Sequence, residues 1–447
     1  MEKAIQFFLH PAELKAAIQL KFFRETQYPR DVNSESESLK ICFELLGVAS
    51  RSFVAVIMEL NPELRVPIMI FYLALRGLDT IEDDTTIEPS IKVPLLRTFH
   101  EKLKTKDWTF NGNGPNEKDR IVLVKFNNVL IEYHKLKPKY KEVISDITKL
   151  MGNGMADYIG DDQFNLNGVA TIKDYDLYCY YVAGLVGLGL TKLNVEAGFA
   201  NPKIVKNEYL HLTHSMGLFL QKANIIRDFK EDLDDGRSFW PKEIWSKYIN
   251  TLKDFELKEN RKKSLECVSE LVLNDLSHVK DVLIYLSLIE ETSTYQFCVI
   301  PQVMAIATLE LVFQNPLVFE RNVKIRKGET CQLILESRTY KGCINIFRRY
   351  IRRIHHKCPV DDRNYLQIGI QCGQIEQFIE SLFPEDHLPI GAKLPKGNEI
   401  FDCVKHKVQL DKKIEPILAK ETQDCNQLLY AITICVFALG LGLYHIF

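Results

Sequence analysis

The apolar run VPIMIFYLALRGL, residues 66–78, ends directly in DTIEDD, residues 79–84. Carboxylates behind a buried run are costly unless something positive meets them. Asp79, Glu82 and Asp83 stand at i, i+3 and i+4, so a helix places them on one face. The pattern recurs at Asp228, Glu231 and Asp232 in NIIRDFKEDLDDGR, again behind an apolar run. Each triplet has an arginine beside it, Arg76 and Arg227. One such triplet reads as a solvated helix end. Two matched ones point to a fold in which two helices turn acidic faces toward a shared cavity. Opposed acidic faces hold hard cations, and Mg²⁺ takes one or two carboxylates plus water and phosphate oxygens. The ion neutralises a diphosphate leaving group as a carbon–oxygen bond breaks. The apolar run behind it then lines a pocket for a hydrocarbon tail.

The rest of the chain supports a helical frame. Apolar residues recur at three and four in CFELLGVASRSFVAVIMEL, VLVKFNNVLIEYHKL, YLHLTHSMGLFLQKANIIRDF and LSHVKDVLIYLSLI. Period-two runs are scarce, and no fixed repeat is present. The expectation is an all-α protein: one large helical bundle of the isoprenoid-synthase type around a central cavity, plus a C-terminal transmembrane helix. The expected divisions are an N-terminal segment over 1–38, a catalytic domain over 39–335, a helical extension over 336–383, a linker over 384–427 and an anchor over 428–447. Within the extension, IFRRYIRRIHHK, residues 346–357, is basic and amphipathic; it reads as a solvated face, with anionic lipid as the alternative. A net charge of −2 argues against a nucleic-acid partner. Eleven scattered cysteines without a CxxC pair read as reduced thiols in a cytosolic setting. The N-terminus, with charges throughout, does not read as a signal peptide.

LLYAITICVFALGLGLYHIF, residues 428–447, carries no Asp, Glu, Lys or Arg. As a helix it spans about 30 Å, the thickness of a bilayer core. A buried terminal helix is the alternative. Lys405, Lys407, Lys412, Lys413 and Lys420 lie upstream, which keeps the bulk of the chain in the cytosol by the positive-inside rule. A tail anchor in the endoplasmic reticulum membrane is expected.

FYLALRGLDTIEDD, YCYYVAGLVG, SMGLFLQKANIIRDFKEDLDDGRSFWP, YQFCVIPQVMAIATL and NVKIRKGETC, taken together and in this order, resemble the squalene synthases of the squalene/phytoene synthase family. The DxxED motifs alone are shared more widely; KIRKG and the terminal span are more specific. Phe229 departs from the tyrosine often found after the Arg-Asp pair.

A monomer is expected. The resemblance implies an enzyme that joins two farnesyl diphosphates head to head through presqualene diphosphate. It then reduces the rearranged cation to squalene with NADPH, feeding sterol synthesis. It implies Mg²⁺ on Asp79, Glu82, Asp83, Asp228 and Asp232, and substrate or cofactor phosphates on Arg51, Arg76 and Arg227. Tyr178 matches the family's catalytic tyrosine, either as the base or as a group that orients the cation while released diphosphate takes the proton. Phe53, Tyr72 and Phe297 are candidates to face carbocations. NADPH is implied at Asn224, Lys324 and Arg326, with Arg51 and Arg76; no dinucleotide fingerprint supports it, since the glycines of VAGLVGLGL lack the GxGxxG order and a preceding strand. They read as small residues thinning a helix beside the pocket. A phytoene- or dehydrosqualene-type synthase without the reductive step, and a non-catalytic membrane-anchored adaptor, are the alternatives.

Overall fold

A computed structural model describes residues 9–50, 53–159, 168–383 and 399–444. The longer helices are α1 (Pro11–Phe22), α2 (Glu37–Ala49), α3 (Pro62–Asp83), α4 (Pro89–Lys102), α5 (Phe126–Lys135), α6 (Pro138–Tyr158), α7 (Ile172–Cys179), α8 (Leu185–Glu196) and α9 (Leu210–Arg227). They continue as α10 (Arg261–Leu276), α11 (Val279–Ser287), α12 (Thr292–Val312), α13 (Lys327–Glu336), α14 (Tyr340–Lys357), α15 (Tyr365–Ser381), α16 (Glu399–Asp411) and α17 (Glu415–Tyr444). No strand forms among the described residues; one isolated bridge joins Ala200 and Ile289. The all-α expectation is met.

Local chemistry sets the helix that matters most. Asn61 caps α3 by accepting the Glu63 N–H, and Pro62 takes the first helical position, where no N–H is needed. Leu64, Ile68, Phe71, Leu75 and Leu78 are buried along it. The chain turns extended at Asp84, so the acidic triplet sits at the C-terminal end of a core helix. α12 is long and apolar enough to cross a membrane, but 67% of its most apolar stretch is buried inside the protein. It is a core helix, with Pro301 facing a cavity.

Close helix approach depends on the glycines of VAGLVGLGL and its partner. A Cβ on Gly187 would lie 2.5 Å from the Thr213 carbonyl, and one on Gly217 would lie 2.3 Å from the Ala183 carbonyl. α8 and α9 therefore touch backbone to backbone beside the cavity, as expected from the sequence.

The core and helices cross the expected divisions. The hydrophobic core runs without a break from the catalytic region into α14, α15 and Val404 of α16, so residue 335 is not a boundary of the core. Phe347 packs 6.1 Å from Phe219, and the Tyr340 hydroxyl donates to the Leu283 carbonyl at 2.9 Å. The N-terminal segment contributes α1, which packs on α13 and α17. The expected linker over 384–427 holds two helices, α16 and the start of α17; residues 384–398 lie outside the described residues. Lys407 is buried there, paired with Asp411 at 3.1 Å, so it is not a membrane-facing charge.

Gly328 explains how α1 seats. A Cβ there would lie 2.5 Å from the Glu13 Cβ. Gly328→Ala should destabilise the fold by about 1–3 kcal/mol, the usual cost of overpacking. Chemical denaturation would measure this.

Candidate active site

A cavity of about 280 Å³ lies among α3, α8, α9 and α12. Phe71, Leu75, Val186, Leu190, Met216 and Phe297 supply most of its apolar wall, and Arg76 and Asp79 mark one end. Tyr72, Arg76 and Phe297, expected at the substrate, all line it. Arg51 lies outside the described residues, as does the side chain of Phe53.

The two acidic motifs meet at that end. Arg237 spans the gap, donating to Asp83 at 3.2 Å while its own backbone N–H donates to the Asp232 carbonyl at 2.8 Å. Gly236 makes the turn possible, with φ at +72°. The arginine stands in the quoted stretch DDGRSFWP, but nothing in its spacing marks it as a bridge. Asn322 is a second residue the sequence did not reveal. Its amide donates to Asp228 at 2.6 Å and to Glu231 at 2.8 Å.

The four carboxylates of DTIEDD separate into two kinds. Burial tends to raise the Asp84 carboxyl, but donors from Thr86, Gly114 and Asn113 outweigh it and take the group down to about 2. Asp84 is a satisfied structural anion that ties α3 to the loop at residues 110–114. Asp79 and Glu82 lack such donors. Loss of water pushes Asp79 up to about 7, against the pull of Arg76, with Asp83 and Asp119 adding repulsion. Glu82 goes up to about 8, first by loss of water and then by Asp83 and Asp79. Across the cavity, loss of water raises Asp232 to about 7; Arg237 opposes this and Asp228 and Glu231 add to it.

The site is thus short of positive charge, which suits a hard divalent cation. Among the described residues no three such side chains converge tightly enough to hold an ion alone. Mg²⁺ leaves part of its shell to water and phosphate oxygens. The sign of the pH effect follows. Groups raised in the folded state bind more protons there than when unfolded, so stability falls as pH rises from about 4 toward 7–8. Metal-free protein should therefore melt lower at about pH 8.5 than at about pH 5.5. Mg²⁺ with inorganic pyrophosphate should raise the melting temperature more at the higher pH; equal shifts would count against these carboxylates as ligands.

Arg76 sits 3.5 Å from Asp79 and 3.8 Å from Asp119, and donates to the Tyr72 hydroxyl at 3.1 Å. Arg227 forks onto its neighbour Asp228 at 2.7 and 2.6 Å. Tyr178 is buried, stacked 5.0 Å from Phe239 and edge-on to Tyr158 at 5.5 Å. Burial pushes its phenol well up, and Glu82, Asp83 and Asp232 push the same way, which places it toward both motifs. With these carboxylates bare, the phenol keeps its proton. Just behind it, Lys222 pairs with Asp176 at 2.6 Å, locking α7 to α9. Phe229 packs 4.3 Å from Trp240 in an aromatic cluster, so a hydroxyl is not needed there.

The cofactor residues fare unequally. Asn224 is half-buried near the end of α9, and its carbonyl accepts the Asp228 N–H at 2.9 Å. Lys324 is exposed. Arg326 is already engaged: Glu13 of α1 accepts from it at 2.9 and 2.7 Å, and Glu329 lies 3.2 Å away. In this arrangement it fastens α1.

Fold and site define an all-α protein whose apolar cavity ends at two opposed acidic motifs, suited to a diphosphate ester with a hydrocarbon tail. The family model for squalene/phytoene synthase matches residues 46–329. The squalene synthase of Cyberlindnera jadinii is 56% identical over 446 residues, covering 100% of both chains. Squalene synthase ERG9 of Saccharomyces cerevisiae is 55% identical over 447 residues, covering 100% of this chain and 99% of its own. A solved complex of TcSQS with the ligand BPH1237 is 40% identical, with a TM-score of 0.73 over 77% of this chain and 99% of that one. The chain belongs to the squalene/phytoene synthase family.

Proposed function

We propose that this protein is an enzyme that condenses two farnesyl diphosphates through presqualene diphosphate and reduces the product to squalene for sterol synthesis. The observation that carries this is the meeting of an apolar cavity with two acidic motifs bridged by Arg237. The full-length likeness to squalene synthases supports the reductive outcome over a phytoene- or dehydrosqualene-type product.

Asp79, Glu82, Asp83, Asp228 and Asp232 would hold Mg²⁺, which when bound draws negative charge off the departing diphosphate. Arg76 and Arg237 add fixed positive charge at the same end. Phe71, Leu75, Val186 and Leu190 exclude water from the hydrocarbon, which protects a carbocation from capture. Tyr178, Tyr72 and Phe297 present aromatic rings near that path, where cation–π attraction stabilises positive charge. Lys324 and Asn224 would hold the NADPH phosphates, the cofactor supplying hydride. The terminal apolar stretch anchors the enzyme in the endoplasmic reticulum membrane with the catalytic body in the cytosol. The test is incubation of the full chain with farnesyl diphosphate, Mg²⁺ and NADPH, and identification of the hydrocarbon. Squalene is expected; dehydrosqualene in the presence of NADPH, or no hydrocarbon, would overturn the reading.

A further inference from the structure

α1 is inside-out for a helix on a soluble surface. Its inner side carries Glu13 and Gln19, only 7% and 6% exposed, with Ala16 between them. Its outer side carries Leu14 and Phe22, 39% and 66% exposed, with Ile18 between them. Leu14, Ile18 and Phe22 stand four residues apart and form one stripe. Leu9, just before the helix, is 70% exposed. An amphipathic helix in water turns the other way, apolar side inward.

The inner polar side is fully used. Glu13 holds Arg326, and Gln19 donates to Thr422 of α17 at 3.1 Å. The contacts with α17 run in opposite chain directions. The Lys15 carbonyl meets the Cys425 sulfur at 4.0 Å, Gln19 meets Thr422, and the Glu25 N–H donates to Glu421 at 3.2 Å. The N-terminal end of α1 therefore lies at the end of α17 that leads into the apolar tail. Cys425 and Leu428 are about one helical turn apart. Beyond them α17 exposes Tyr430, Ile432 and Ile434. Lys15 and Lys21 flank the stripe, and the Lys21 ammonium sits 5.1 Å over the Phe22 ring. Long basic side chains at the edge of an apolar strip reach toward headgroups while the stem stays apolar.

We propose that α1 is a second membrane contact, with Leu14, Ile18 and Phe22 against the bilayer that α17 enters and Lys15 and Lys21 on anionic headgroups. This rests on the tail-anchor reading in one respect only, the nearness of the bilayer. Continuity with the apolar tail and the lysine flanks favour lipid over a protein partner. Paired attachment at α1 and α17 would fix the orientation of the body on the membrane, which a single tail cannot do.

The test places tryptophan at single positions in the full chain reconstituted in phosphatidylcholine–phosphatidylserine vesicles, a portion of whose acyl chains carry bromine. Leu14→Trp and Phe22→Trp are the probes, Tyr430→Trp reports the tail, and Leu366→Trp on α15 is the exposed control. Both α1 probes should be quenched about twofold more than the control. Quenching at position 430 without excess quenching at 14 and 22 would overturn the α1 contact and leave the anchor standing. No quenching at any of the three would overturn both. Quenching at 14 and 22 that does not weaken in pure phosphatidylcholine would overturn the role given to the lysines.

Discussion

Asp79→Asn and Asp228→Asn should each cut formation of presqualene diphosphate and squalene by about 10²–10³-fold or more, at saturating Mg²⁺. Each substitution keeps the side-chain shape and removes the anionic oxygen that a hard cation needs. The two sites lie on different chain segments brought to one cavity end, so loss at either should look alike. The stability readout separates function from folding. The Asp79 carboxyl is raised to about 7 by loss of water. Its charged form therefore costs stability above that pH, and Asp79→Asn should melt no lower than the parent in metal-free buffer at about pH 8.5. An inactive variant that also melts lower would point to a structural role. Near-normal turnover would remove Asp79 from the metal set.

Lys324→Ala should split the two half-reactions. A charged hydrogen bond is worth about 1.5–3 kcal/mol, or about 10–150-fold in NADPH affinity. Presqualene diphosphate should still form, then persist or lose its cation to water as an alcohol. Squalene should fall steeply at limiting NADPH, as mass spectrometry of both products would show. Arg326→Ala should behave differently, because its guanidinium is bound to Glu13 and Glu329. It should loosen α1 and lower the melting temperature while moving NADPH affinity less. Equal loss of both products in Lys324→Ala would assign that residue to the first step or to the fold.

Much of the site was legible because its chemistry is local. Asp79, Glu82 and Asp83 share a helix face by spacing alone, and so in large part do Glu231 and Asp232. The chain pauses at Asp228, which ends α9 before the short helix Phe229–Asp234 begins. The resemblance carried Tyr178, which no periodicity distinguishes from Tyr180 and Tyr181. α16 was missed for a plain reason. Lys407 is buried by pairing with Asp411 and lying 3.9 Å over the Tyr295 ring, so a residue that reads as solvated or membrane-facing charge interrupts the short apolar stripe of Ile400, Val404 and Val408.

By itself the sequence determined the all-α class, the two acidic motifs and the apolar tail, since helical period and residue chemistry are properties of contiguous chain. Tertiary structure decided which carboxylates already have their partners. Asp84 and Asp79 are five residues apart and chemically alike, yet donors from Thr86, Gly114 and Asn113 satisfy one while the cavity dehydrates the other. It also decided that Arg237 bridges the motifs and that Arg326 fastens α1. An ion pair is set by which long side chains meet across the fold, and that distance is absent from chain spacing.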